Sequence, residues 1–489
     1  MFDAHVLPQD SLGARCMDGS SMHYFLSEGA AATKWVFHHS HGGWCASDGN
    51  CAKQVFSERA NATLLGQLGH LDSSAGEVPG LNLLTVPLMA DLVPVNPVTH
   101  DWNKVFLPYC DHGATNGAHA MTTNHCIRCT VRHRCTASVT GSYAGNLSDA
   151  ATWRPAAASS GNASARTLYY RGARNREAVL VDLLRHRGLG RASQVILSGA
   201  SAGGLGVLWS ADWYQRRLPW ARVVAVVDSG FFISPPPGLP SPPASWISST
   251  ALRWMHQRMD LALHSDCVAA HRATQTDESS CMWADVVAPH VRVPVFVLQS
   301  LRDVAHLQFH KIGQHGAAEA VAAAQLAHSV SRSLRALVHN DSTKRNAVFI
   351  TQCGAHLRLW GAWRGVCHVP AAGASALRSG ASSAAEKEQP ASAATLDTQE
   401  ACARQHNSST GRQATSTTEH APLAEGYSAM RALAEWYHDL ERGDGTIAGR
   451  RAWVQRACAA GKGSHTRRCC EGGGTEPESS KNKIHGWDT

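Results

Sequence analysis

Residues 194–206 read QVILSGASAGGLG. A β-branched, apolar run leads into five small residues, Gly199-Ala200-Ser201-Ala202-Gly203, and then into a helical pattern. Gly-x-Ser-x-Gly at that junction is the trace of a sharp strand-to-helix turn whose serine projects from the apex, where larger neighbours would collide. Small-residue clusters also occur in ordinary loops, so the sequence on either side has to decide.

Short β-rich runs alternate with helical patterns around this turn. KWVFHH (34–39) enters the glycine turn HGGW, and NKVFLPYC (103–110) ends at DHG. NREAVLVDLLRHRGLG (175–190) has helical apolar spacing and a glycine stop. GGLGVLWSADWYQRRLP is a helix halted by Pro219, and ARVVAVVDSGFF (221–232), VPVFVLQS (293–300) and NAVFITQC (346–353) are further strands. HAPLAEGYSAMRALAEWYHDLE (420–441) is a closing amphipathic helix. This alternation predicts an α/β fold with a mainly parallel central sheet flanked by helices. A single domain over 1–460 is expected, interrupted by an Ala/Ser/Thr-rich, mobile insertion at 371–419 and followed by a polar, disordered tail at 461–489.

Composition narrows the class. The 489 residues include no run of about 18 apolar residues, which argues against a membrane-spanning helix. The net charge of +7 is dispersed, which suits acidic partners such as polyanionic glycans better than nucleic acid. Fifteen cysteines and five Asn-x-Ser/Thr sequons, at Asn61, Asn146, Asn162, Asn340 and Asn407, favour a secreted or cell-wall protein with disulfide-stabilised loops. MFDAHVLPQDSLGARC (1–16) shows no charged-then-apolar leader, so the expectation is a leader missing from this sequence.

A serine needs a histidine base, itself oriented by a carboxylate. Asp303 follows VPVFVLQS and His356 follows NAVFITQC, so both sit at strand ends, where open α/β sheets gather their chemistry. The order Ser201, Asp303, His356 is that of α/β-hydrolases. Asp228, at the end of RVVAVVD, is a rival acid, with turn stabilisation as its other reading. Backbone N–H donors for an oxyanion could come from Ala202 and from the HGGW turn of Gly42, Gly43 and Trp44. Two metal readings compete. Cys126, Cys129, His133 and Cys135 have spacings that zinc accepts, although disulfides are commoner in a secreted chain. His38, His39 and His41 alternate along a strand, which sends His38 to the opposite face and argues against a three-ligand cluster.

The blocks CMDGSSMHYFL, HGGWCASDGNC, WNKVFLPYCDHG, LYYRGARNREAVLVDLL, VILSGASAGGLG, VVDSGFF and ITQCGAH occur in this order. Together they resemble the pectin acetylesterase/Notum family, carbohydrate esterase family 13, from about Cys16 to His356. The resemblance implies an α/β-hydrolase-like fold and a serine esterase needing neither metal nor organic cofactor. It implies Ser201 as nucleophile, His356 as base and Asp303 as the orienting acid, with Gly43, Trp44 and Ala202 as oxyanion donors. It also suggests Cys45–Cys51 and Cys16–Cys110 bridges. The expected substrate is an acetylated cell-wall or extracellular polysaccharide such as pectin, handled by a monomer. The alternatives are removal of a fatty acyl group from a protein, or an inactive glycan-binding homologue. Departures accompany the match: Ser40 and His41 stand where the family tends to have glutamate and glycine, and Arg302, Ala305 and His306 replace tyrosine, tryptophan and glutamine around Asp303. Leu357 occupies a position where many plant members have cysteine.

Overall fold

A computed structural model describes residues 2–8, 12–47, Cys51, 87–123, 127–129, 135–137, 166–239, 249–312, 317–357, 366–368, 429–442 and 452–455, a few single positions excepted. Ten strands form one sheet among these residues, in the order β1-β2-β4-β3-β9-β10-β11-β12-β14-β13. They are β1 (Asp3–Val6), β2 (His23–Ser27), β3 (Ala31–His39), β4 (Trp102–Leu107), β9 (Gln194–Ala200), β10 (Arg222–Asp228), β11 (Val295–Ser300), β12 (Ala347–Thr351), β13 (Val366–His368) and β14 (Ala452–Gln455). The six pairings from β4 through β3, β9, β10, β11 and β12 to β14 are all parallel. Antiparallel strands close both margins. Two small ribbons, β5 (His119–Thr123) with β8 (Arg166–Tyr170) and β6 (Ile127–Cys129) with β7 (Cys135–Ala137), lie apart from it.

Eight α-helices are described: α1 (Gly172–His186), α2 (Ala202–Arg217), α3 (Ser249–Met259), α4 (Ser265–Ala273), α5 (Ala284–Val287), α6 (Val304–Phe309), α7 (Ala317–His339) and α8 (Ala429–Arg442). The helix expected over 420–441 is therefore described from Ala429 onward. The insertion at 371–419, the tail at 461–489, and Cys126 and His133 of the zinc reading lie outside the described residues.

The central strands are buried on both faces, which is why they read as continuous Val/Ile/Leu runs. Their two-residue period still sorts the side chains. Trp35, Phe37, Val195, Leu197, Val223 and Val297 join one core, while Val36, Ile196, Val224, Phe296 and Phe349 join the other. Helix α8 covers the second core with a stripe of Met430, Leu433, Trp436 and Tyr437. Trp436 packs on Phe296 at a centroid distance of 5.4 Å and donates its indole N–H to the Arg345 carbonyl at 2.7 Å, so its polar atom is satisfied while its ring is buried.

Three disulfides occur among the described residues. Cys16–Cys110 and Cys45–Cys51 are the two pairs the resemblance suggested; Cys267–Cys281, which ties α4 to the turn at Glu278–Met282, was not anticipated. His271 lies close to the last pair, but thiols bonded to each other are not metal ligands.

Candidate active site

The turn at 199–203 is tight for a physical reason. Ser201 takes φ 53° and ψ −122°, a strained conformation for a residue with a Cβ. A Cβ on Gly199 would strike the backbone of Gly203, and one on Gly203 would strike the carbonyls of His39 and Ser40. Only glycine lets β9, α2 and the end of β3 approach this closely. The Ser201 N–H is fixed by the Asp228 carbonyl at 2.8 Å.

The serine side chain meets the two residues expected at distant strand ends. His356 Nε2 lies 2.8 Å from Ser201 Oγ. On its other side, His356 Nδ1 lies 2.9 Å from both carboxylate oxygens of Asp303. Asp303 is 1% exposed and caps α6, its Oδ1 accepting from the N–H groups of Ala305 at 2.9 Å and His306 at 3.1 Å. Gln299 Nε2 donates to Asp303 Oδ2 at 3.1 Å, and Gln299 is itself oriented by the Phe231 N–H at 3.0 Å. The departures around Asp303 leave this cradle intact, because Ala305 and His306 serve it through backbone groups that any side chain retains.

Burial works against the His356 imidazolium, but the charge and hydrogen bond of Asp303, with the charge of Asp228, more than offset it and raise the pKa above 6.5. The rival acid Asp228 thus acts on the imidazole at a distance, while Asp303 holds it directly.

Ala202 is the first residue of α2, so its N–H belongs to the unsatisfied amino end of a helix. Gly42, Gly43 and Trp44 form the facing turn. Gly43 has φ 75°, and a Cβ on Gly42 would fall inside the Tyr109 ring. Tyr109 fixes that turn: its hydroxyl donates to the Gly43 carbonyl and accepts from the Ala114 N–H at 3.0 Å. Trp44 pairs with Gly113 in an isolated antiparallel bridge. Its ring stacks on Phe309 at 5.0 Å and meets Phe232 edge-on at 5.6 Å, and Phe232 lies 6.2 Å from the His356 ring. Sequence reasoning missed Gln299, Tyr109 and this aromatic shell. Each is an ordinary buried residue in its own segment, and only proximity to the triad distinguishes it.

His38 and His39 separate as alternation predicts. His38 contacts Ser198 at 3.1 Å on one face, and His39 contacts Thr115 and Tyr214, each at 3.1 Å, on the other. A cavity of about 1140 Å³ lies at the opposite ends of the strands, beside Arg222, Val293 and Pro294, and touches none of the triad. The Asp212–His264 contact of 3.1 Å borders it, but the Asp212 carboxylate also accepts from the N–H groups of Arg292 and Val293 and holds a loop.

A profile of the family described as Pectinacetylesterase matches residues 1–129 and 146–368. Pectin acetylesterase 5 of Arabidopsis thaliana is 27% identical over 299 residues, covering 60% of this chain and 56% of that protein. The palmitoleoyl-protein carboxylesterase NOTUM of Homo sapiens is 24% identical over 327 residues, covering 63% and 53%. The chain thus spans little more than half the length of these curated relatives. Among solved structures, the Wnt deacylase Notum from Drosophila superposes with a TM-score of 0.53 at 20% identity, over 74% of this chain and 89% of that one, a likeness of fold.

Proposed function

The chain belongs to the pectinacetylesterase family, and on that premise we propose that it is a serine carboxylesterase that deacetylates an extracellular polysaccharide such as pectin. The observation that carries this reading is the Ser201–His356–Asp303 chain of contacts, 2.8 and 2.9 Å long, assembled from three separate strand ends. Ser201 Oγ attacks the ester carbonyl carbon while His356 Nε2 takes its proton. Asp303 keeps the remaining imidazole proton on Nδ1 and stabilises the imidazolium. The N–H groups of Ala202, Gly43 and Trp44 receive the developing oxyanion. Collapse breaks the bond to the sugar oxygen, which leaves with the proton from Nε2. Water, deprotonated by His356, then cleaves the acyl-serine and releases the acid.

Secretion is part of the same proposal. It is supported by the disulfides and by the exposed Asn340 sequon at the end of α7. No helix among the described residues is long and apolar enough to cross a membrane.

The test is release of 4-nitrophenol from its acetate and octanoate esters by wild-type protein and by Ser201→Ala, followed by acetate release from acetylated pectin. Turnover lost in the variant, with acetate preferred to octanoate, is the expected result. A preference for octanoate would move the substrate toward fatty acyl esters. Folded wild-type protein inert on every ester would overturn the esterase reading.

A further inference from the structure

Asp228, the last residue of β10, and Ser229 just after it lie between the nucleophile turn and the loop that carries His356. Both are buried, at 2% and 0% exposure. The Asp228 carbonyl accepts the Ser201 N–H at 2.8 Å, and the Ser229 N–H donates to the Leu298 carbonyl of β11 at 2.8 Å. The Ser229 hydroxyl donates to Asp228 Oδ1 at 2.8 Å and accepts the Leu357 N–H at 3.0 Å. Leu357 directly follows His356, so fixing its amide fixes the peptide plane on which the imidazole hangs.

Resting on the esterase reading, we propose that Ser229 is a positioning residue for His356, acting through the Leu357 amide, and that the Asp228 carboxylate sets the direction of the Ser229 hydroxyl. A serine hydroxyl has one donor and two lone pairs on a free rotor. Once its hydrogen is committed to Asp228, a lone pair faces Leu357. The backbone is distorted to make this contact: Ser229 has φ 51° and Leu357 φ 66°, both unfavourable for residues with a Cβ. Gly230 allows the approach, since a Cβ there would lie 2.7 Å from the Ser201 carbonyl oxygen. One dipeptide therefore ties the nucleophile to the base, although it lies on a different strand from either.

The electrostatics give the dipeptide a second effect. Among the described residues, the ionisable groups acting on or with His356 are Asp303 from the turn before α6, Asp228 from β10, His41 from the glycine turn and His306 from α6. The two carboxylates favour the imidazolium. His306 is held neutral by burial, its pKa lowered to about 4. Asp228 thereby contributes to the basicity of His356 without touching it.

The experiment compares Ser229→Ala, Ser229→Gly and Asp228→Asn with wild type. The readouts are 4-nitrophenyl acetate turnover, the rate of Ser201 labelling by a fluorophosphonate from about pH 5 to 9, and thermal melting. Glycine accommodates φ 51° without strain, so Ser229→Gly separates loss of the hydroxyl from failure to fold. Both Ser229 variants should lose roughly tenfold in kcat, the equivalent of one hydrogen bond, with KM within about twofold. Asp228→Asn, which keeps the shape and removes the charge, should shift the acid limb of the profile to lower pH. Ser229→Gly with wild-type kcat overturns the proposal, whereas Asp228→Asn with an unmoved acid limb overturns the electrostatic effect alone. Wild-type labelling that disappears in Ser201→Ala upholds the esterase reading separately. Its absence overturns that reading and this proposal together.

Discussion

Asp303→Asn is the substitution whose effect follows most directly from the structure. The carboxylate accepts from His356 Nδ1, the N–H groups of Ala305 and His306, and Gln299 Nε2. All four are donors, so a carboxamide, with only one accepting oxygen, cannot satisfy them. If its oxygen keeps the two backbone N–H groups at the Oδ1 position, its NH2 faces both Gln299 and His356. Gln299 cannot reverse its amide without abandoning the Phe231 N–H, which its Oε1 accepts at 3.0 Å. An NH2 at the Oδ2 position, 2.9 Å from Nδ1, favours the tautomer that accepts at Nδ1 and carries its proton on Nε2, opposite Ser201 Oγ, where it can no longer act as a base. In serine proteases the same tautomer reversal costs about 10⁴-fold in kcat, or about 5 kcal/mol of transition-state stabilisation. The mispaired buried donors should also cost about 1–3 kcal/mol of folding stability. Initial rates with 4-nitrophenyl acetate near pH 8, together with a urea titration, would measure both. Asp228→Asn should retain far more activity, because that side chain does not touch the imidazole. A loss of tenfold or less in folded Asp303→Asn, or a larger loss in Asp228→Asn, would refute the assignment of Asp303 as the orienting acid.

Further expectations follow from the buried titratable groups and cross-links. Because His356 has a raised pKa, the imidazolium is favoured in the folded protein; its stabilising contribution is complete below 6.5 and lost as pH rises through the folded value. Activity needs the neutral imidazole, so the acid limb of kcat/KM should lie above pH 6.5, the reference value. His38, His39 and His310, each held at about 3, and His306, at about 4, have the opposite sign, since burial keeps them neutral. Their contribution is present above 6.5 and lost as pH falls toward the folded values, each group weakening folding by up to about tenfold per pH unit. Melting temperature should therefore drop steeply on acidification from about pH 6.5 to 4, and a flat profile there would show that these side chains are hydrated. Removing the Cys267–Cys281 bridge by a double alanine substitution opens a link with a sequence separation of 14 and should cost about 3 kcal/mol in urea unfolding. Esterase turnover at 25 °C should be unchanged, because the bridge ties α4 to the turn at Glu278–Met282 and neither element carries a triad residue.

The sequence by itself determined the central strands and the candidate reacting groups. Apolar runs bounded by glycine, proline and polar turns located β3, β9, β10, β11 and β12, because strands buried on both faces can tolerate little else. The small residues around Ser201 announced a turn that steric contact with Gly203 and the end of β3 requires. The chain order of Ser201, Asp303 and His356 placed the acid and the base at strand ends, and the structure brings all three together. The resemblance pointed to Asp303, but which of Asp303 and Asp228 contacts the imidazole needed the tertiary structure. Both aspartates follow buried parallel strands, and only the packing of the His356 loop decides which carboxylate meets Nδ1. The supporting roles of Gln299, Tyr109 and Ser229 were equally illegible, since their partners lie 4 to 128 residues away along the chain. The Cys267–Cys281 pairing belongs with them, because sequence supplies cysteines but only the fold brings two within bonding distance. A sequence records which groups are available, while the direction in which a lone pair or an N–H points is set by neighbours that the fold supplies.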